Sequence, residues 1–96
     1  MFSKKVRISP DVLSQEVAGE TVLLDLKSEV YFGLDKVGTR IWQLLQEKGE
    51  TDYVSQKILE EYDVKEEQLQ KDIEELIGKL VEEGLISIED QQNNEK

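Results

Sequence analysis

The stretch from Thr21 to Leu45, TVLLDLKSEVYFGLDKVGTRIWQLL, decides the fold, because two short strand patterns run through a turn and straight into a helical one. Val22, Leu24 and Leu26 alternate with Thr21, Leu23 and Asp25, which predicts a strand with the Val22 set inward; Leu23 alone breaks the polar face. Lys27-Ser28-Glu29 turns the chain. Val30 to Leu34 then alternates again, with Val30, Phe32 and Leu34 on one face and Tyr31 and Gly33 on the other. Asp35 stands where an N-cap carboxylate can accept from the free amides of a first helical turn. Behind it Val37, Ile41, Leu44 and Leu45 recur at helical spacing, with Trp42 beside them as a core anchor, and Gly49 ends the helix.

Outward from this stretch the remaining elements fall into place. On the N-terminal side Leu13 to Val17 reads as an earlier strand and Ala18-Gly19-Glu20 as a tight turn; Pro10, without a backbone donor, breaks any strand begun by Val6 and Ile8. On the C-terminal side a helix starting at Thr51 or Asp52 and running to Tyr62 turns Val54, Ile58 and Leu59 inward. A longer helix, from about Lys65 to Glu83 with Asp63 as its candidate cap, carries the stripe Leu69, Ile73, Leu76, Ile77, Leu80 and Val81. Gly84 stops it, and Leu85, Ile86 and Ile88 suit a short closing strand. From Asp90 the segment DQQNNEK has no apolar residue and reads as a disordered tail. The expected architecture is α+β: one domain over residues 1–89, a three-stranded antiparallel sheet followed by three helices, winged helix-turn-helix-like, with residues 90–96 as tail.

Composition narrows what such a domain can do. A chain of 96 residues buries only about 60 to 65 per cent of its unfolded surface, enough for one core. The N-terminus has Lys and Arg but no apolar run behind them, so it is not a secretory signal, and no stretch approaches the roughly 20 apolar residues of a membrane span. With no cysteine, nothing points to an oxidising compartment, and the expected location is the cytoplasm. Residues 1–50 carry 7 Lys+Arg against 8 Asp+Glu, and residues 51–96 carry 5 against 14, so nearly all of the net charge of −10 sits in the C-terminal half. Such a surface repels phosphate backbones, which makes nucleic acid an unsuitable partner.

The inventory of reactive side chains is equally narrow. Histidine and cysteine are both absent, which removes the commonest nucleophiles, bases and metal ligands near neutral pH. The carboxylates of EEYDVKEEQLQKDIEEL fall where a helix faces water, and YDVKEEQLQKD lacks the glycine of a calcium loop. Gly33 and Gly38 do not make a phosphate-binding loop. No catalytic residue, metal site or cofactor is expected, and the chain is read as a binding protein rather than an enzyme. The strand Val30 to Leu34 is the candidate surface: as the last strand of a meander it lies at an edge, and it carries neither charge nor proline to blunt that edge. An open edge invites an added strand, whether from a peptide or from a second copy of the chain.

The pattern VLLDLKSEVYFGLDKVGTRIWQLL, then EEYDV, then DIEELIGKLVEEGLI resembles the PqqD-like family. These are the elements that recognise the leader peptides of ribosomally made, post-translationally modified peptides. The resemblance spans roughly Leu13 to Ile88 and rests on L-x6-Y-x2-L from Leu24 to Leu34, on Gly38 through Ile41-Trp42 to Leu45, and on L-x3-G-L-I from Leu80 to Ile86. It implies a domain that binds the leader of a precursor peptide as a strand added to the Val30–Leu34 strand, beside the third helix. The implied peptide-binding residues are Glu29, Val30, Tyr31, Phe32 and Gly33 on the strand, with the exposed edge of the Leu69, Asp72, Ile73 and Leu76 face on the helix. It further implies delivery to a separate processing enzyme: the leader protease and cyclase of a lasso-peptide pathway or, in the PqqD branch proper, a radical S-adenosylmethionine enzyme. The acidic third helix would favour leaders carrying Lys or Arg. The competing readings are a winged-helix nucleic-acid binder and an oligomerisation domain that pairs through the same edge.

Overall fold

A computed structural model describes residues 4–89, so the expected tail from Asp90 lies outside the described residues. Three antiparallel strands, β2 (Val12–Val17), β3 (Glu20–Asp25) and β4 (Val30–Leu34), form a sheet in that order, followed by α1 (Lys36–Glu47), α2 (Thr51–Glu61) and α3 (Glu66–Glu82). The expected three-stranded sheet and three helices are therefore present. One element departs from the expectation: β1 (Lys5–Ile8) precedes the sheet and pairs antiparallel with β5 (Ile86–Glu89), closing a second, two-stranded sheet. Pro10 does not prevent this strand, because it falls in the turn after Ile8, where no ladder hydrogen bond is needed. The partner of β1 lies some eighty residues downstream, so no local signal announces the pairing.

The β2–β3 hairpin turns on Ala18 and Gly19, both at positive φ (55° and 84°), the conformation that matches the twist of the flanking strands. From there the register fixes which face is buried, and it reverses the expected one. Thr21, Leu23 and Asp25 face the helices and are buried, whereas Val22 and Leu26 are about half exposed, at 45% and 51%. The sequence pattern misleads because two of the three inward residues are polar. Asp25 meets its needs locally, its carboxylate accepting from the Lys27 amide and the Ser28 hydroxyl, so its burial at the strand end leaves no bare charge. Leu23, at zero exposure, is the strand's contribution to the core.

In β4 the expected alternation holds: Leu34 is buried and Phe32 half-buried on the inner face, and Tyr31 stands out at 69% exposure on the outer one. Asp35 caps α1, its Oδ1 accepting from the Gly38 amide at 2.8 Å. Trp42 is buried with Ile41, Leu44 and Leu45. At the far end of α1 the chain passes so close to β1 that a Cβ on Gly49 would overlap the Val6 carbonyl oxygen. α3 does not use Asp63 as its cap; Lys65 occupies that position without a side-chain hydrogen bond. Its other end is well closed. Gly84, at φ 77°, lets the Gly84 amide donate to the Val81 carbonyl and the Leu85 amide to the Leu80 carbonyl, while Leu80 and Leu85 are both fully buried.

Candidate functional site

β4 is the last strand of its sheet, and no other described strand pairs with its far side. In an antiparallel ladder alternate residues point their amides and carbonyls to one neighbour, so an edge strand keeps every second pair free. Beside this edge runs a groove of about 550 Å³. One wall is built by β4 and the start of α1, through Phe32, Leu34, Val37 and Ile41. Gly38 belongs to the same wall: its absent side chain lets Leu34 and the Asp35 carboxylate lie against the backbone, where a Cβ would come within 3.3 Å of both. The opposite wall is a single stripe of α3, Asp72, Glu75, Leu76 and Lys79. The floor is thus apolar and the rim on the α3 side charged.

The expected binding residues divide across this geometry. Phe32, Gly33, Asp72 and Leu76 line the groove. Glu29 lies in the β3–β4 turn at φ 62°, and Val30, 36% exposed, begins the strand; neither borders the groove. Tyr31 is on the outer face of the sheet, in register with Leu24, and does not point into the groove. Leu69 and Ile73 have no exposed edge to offer, both being 3% exposed in the core. Ile73 borders a smaller cavity of about 270 Å³ on another flank of α3, with Lys4, Thr51, Gln70 and Ile77. The Leu69–Ile73–Ile77 line of α3 faces inward, as its apolar stripe predicts, and the Asp72–Leu76–Lys79 line faces β4, so Tyr31, Leu69 and Ile73, implied as binding residues by the resemblance, stand outside the groove. Glu75 and Lys79 could have been found from Asp72 and Leu76 by helical spacing alone. The contribution of α1, by contrast, depends on how that helix leaves the strand.

The rim groups differ in how they are held. Asp35 is committed to the α1 cap. Asp72 Oδ1 accepts from the Gln68 amide at 3.0 Å, while Glu75 and Lys79 make no ion pair among the described residues. The best-made charged contact lies elsewhere, where the Arg40 guanidinium of α1 grips Glu61 of α2 through Nε and Nη2 at 2.8 and 2.6 Å. That grip holds the Glu61 carboxyl below the usual carboxylate range. Among the described residues no group of three or more Asp or Glu side chains is placed to hold a metal ion, and no helix is long and apolar enough to cross a membrane.

Comparison with known proteins bears on this groove. A family model described as coenzyme PQQ synthesis protein D (PqqD) matches residues 20–86. Among solved structures, one described as TbiB1 in complex with the TbiA(beta) leader peptide is 36% identical, covers 84% of this chain and 94% of its own, and superposes with a TM-score of 0.80. Another, a lasso peptide synthetase B1 complexed with the leader peptide, is 28% identical over 86% of this chain and 98% of its own, at a TM-score of 0.77. None of the curated proteins matches.

Proposed function

The chain belongs to the PqqD family, and from that premise we propose that it binds the leader segment of a ribosomally synthesised precursor peptide and presents it to a separate processing enzyme. The observation that carries the proposal is the coincidence of an open strand edge with an apolar groove along the same strand, β4. Two structures of similar chains are described as leader-peptide complexes, one of them a lasso peptide synthetase B1, which favours the lasso-peptide pathway over the radical-enzyme branch.

The leader docks as an added strand on β4, its main chain pairing with the free amides and carbonyls and its alternate side chains entering the groove over Leu76, Val37 and Ile41. Ordering a disordered leader costs about 2–5 kcal/mol, so the apolar floor must provide much of the surplus. No covalent step takes place on this chain. Its contribution is to hold the core peptide beside the partner enzyme at high effective concentration.

The experiment is an NMR titration of the labelled protein with a leader peptide. Amide shifts on Val30–Leu34 and on the Asp72–Lys79 stripe are expected, with Leu76→Ala weakening binding about tenfold. β2 is the other edge of the sheet. Shifts confined to β2, or affinity unchanged in Leu76→Ala, would move the site away from the groove.

A further inference from the structure

We infer that the groove reads charge order as well as shape: the segment it receives carries one basic and one acidic side chain on its groove-facing side, two or four residues apart. This rests on the leader-binding reading and specifies its ligand. The β4–α1 wall offers one charge, Asp35, which is fixed at the α1 N-terminus by the Gly38 amide; the other charges of the groove, of both signs, come from the α3 wall. On the α3 wall the order is fixed by the helix. Asp72 and Glu75 stand nearer its N-terminus, Lys79 stands one to two turns further on, and Leu76 lies between.

The sequence spacing sets the ligand spacing. A helix rises about 1.5 Å per residue, so Lys79 lies about 6 Å beyond Glu75 and about 10 Å beyond Asp72 along the axis. In an extended strand, residues on one face are about 6.6 Å apart at i, i+2 and about 13 Å apart at i, i+4. Only even spacings put both side chains on the groove side. Two residues match Glu75 to Lys79; four, with an apolar residue over Leu76 between them, match Asp72 to Lys79 within side-chain reach.

The rim charges are available for this. Glu75 precedes Lys79 by four residues, the order in which a helical ion pair normally forms, yet the two make none among the described residues. Asp72 is steadied by the Gln68 amide, a neutral donor that leaves its charge uncompensated. The polarised rim also has a use that main-chain pairing cannot serve. Parallel and antiparallel strands both find hydrogen bonds on an open edge, whereas a negative-to-positive rim accepts a given N-to-C order of charges in one direction only. The charge order of the ligand therefore selects strand direction and register.

The test uses the full chain and the TbiA(beta) leader peptide described with the 36%-identical structure, labelled and replaced at each position in turn by Lys and by Glu. With the wild-type protein, one position is expected to prefer Lys over Glu by about threefold or more, and a second position, two or four residues away, to prefer Glu. Asp72→Asn combined with Glu75→Gln should erase the first preference and leave the second; Lys79→Gln should do the reverse. All three side chains are exposed, so melting curves of the variants should match the wild type. If the leader binds but the Lys/Glu preferences are unchanged in the variants, or sit an odd number of residues apart, the charge reading falls and leader binding stands. If the wild type binds no member of the series, the leader-binding reading falls with it.

Discussion

Leu23 is fully buried, while Leu26, one residue past the buried Asp25, stays half exposed. Leu23→Ala should therefore lower stability by about 2–5 kcal/mol, the range for a buried leucine that leaves a cavity, and Leu26→Ala by less than about 1 kcal/mol. Urea unfolding of the two variants separates them, and equal losses would return the strand to the opposite phase. The Arg40–Glu61 pair makes a different prediction. Because Arg40 holds the Glu61 carboxyl low, the pair's contribution is present above the ordinary carboxylate range and is lost as pH falls through the lowered value. Wild type should thus lose its advantage over Glu61→Gln as pH is taken from 7 toward 3, with the two melting-temperature curves converging on the acid side. A constant gap would mean that the contact contributes through shape alone. The neighbouring links, Arg40 to Gln43 and Gln43 to Glu16, tie the same corner to β2.

Among the elements, α1 is where sheet and helices meet, and its start is legible in sequence because Asp35 sits directly behind an alternating strand. The cap bond is local, so it is predictable from spacing. Asp35→Ala should cost about 0.5–2 kcal/mol in thermal unfolding. It should also loosen the end of the groove, since the same turn sets Val37 and Gly38 against Leu34. A loss below that range would show that tertiary packing rather than the cap holds the turn. The C-terminal stop of α3 was equally readable at Gly84, which needs positive φ. β1 was not readable. Its Val6-x-Ile8 alternation is short and stands beside a proline, and the strand exists because Val6 and Ile86 are buried together and because the backbone at Val6 and the preceding Lys4 also bonds to Gly49 and Thr51.

For the molecule as a whole, a net charge of −10 concentrated beyond residue 50 makes encounter with a cationic segment sensitive to salt. The association rate of a Lys-bearing leader should fall several-fold when ionic strength is raised from about 0.05 to about 0.5 M, while dissociation changes little. Stopped-flow measurement decides this, and a salt-independent association rate would restrict the role of the rim to the bound state. The same charge opposes close approach of two copies through the β4 edge, which weighs against self-pairing there.

The sequence by itself determined the three-stranded sheet, the three helices, the Asp35 cap, the Gly84 stop and the charge layout, because each is set by residues within a few positions of one another. It also singled out β4 as the edge, while the family resemblance rather than the spacing pointed to Phe32, Gly33, Asp72 and Leu76, which line the groove. Which phase of β3 faced inward, how the start of α1 and the Asp72–Leu76 line of α3 close into one groove beside β4, and the pairing of β1 with β5 were decided only by tertiary structure. In each of these cases two arrangements satisfy local propensity about equally, and the choice depends on which one lets distant apolar surfaces close on a single core. Tyr31, Leu69 and Ile73 stand where their spacing puts them, on the outer face of β4 and in the core stripe of α3; the binding role came from the family resemblance, and the groove itself runs past Phe32 and Leu76.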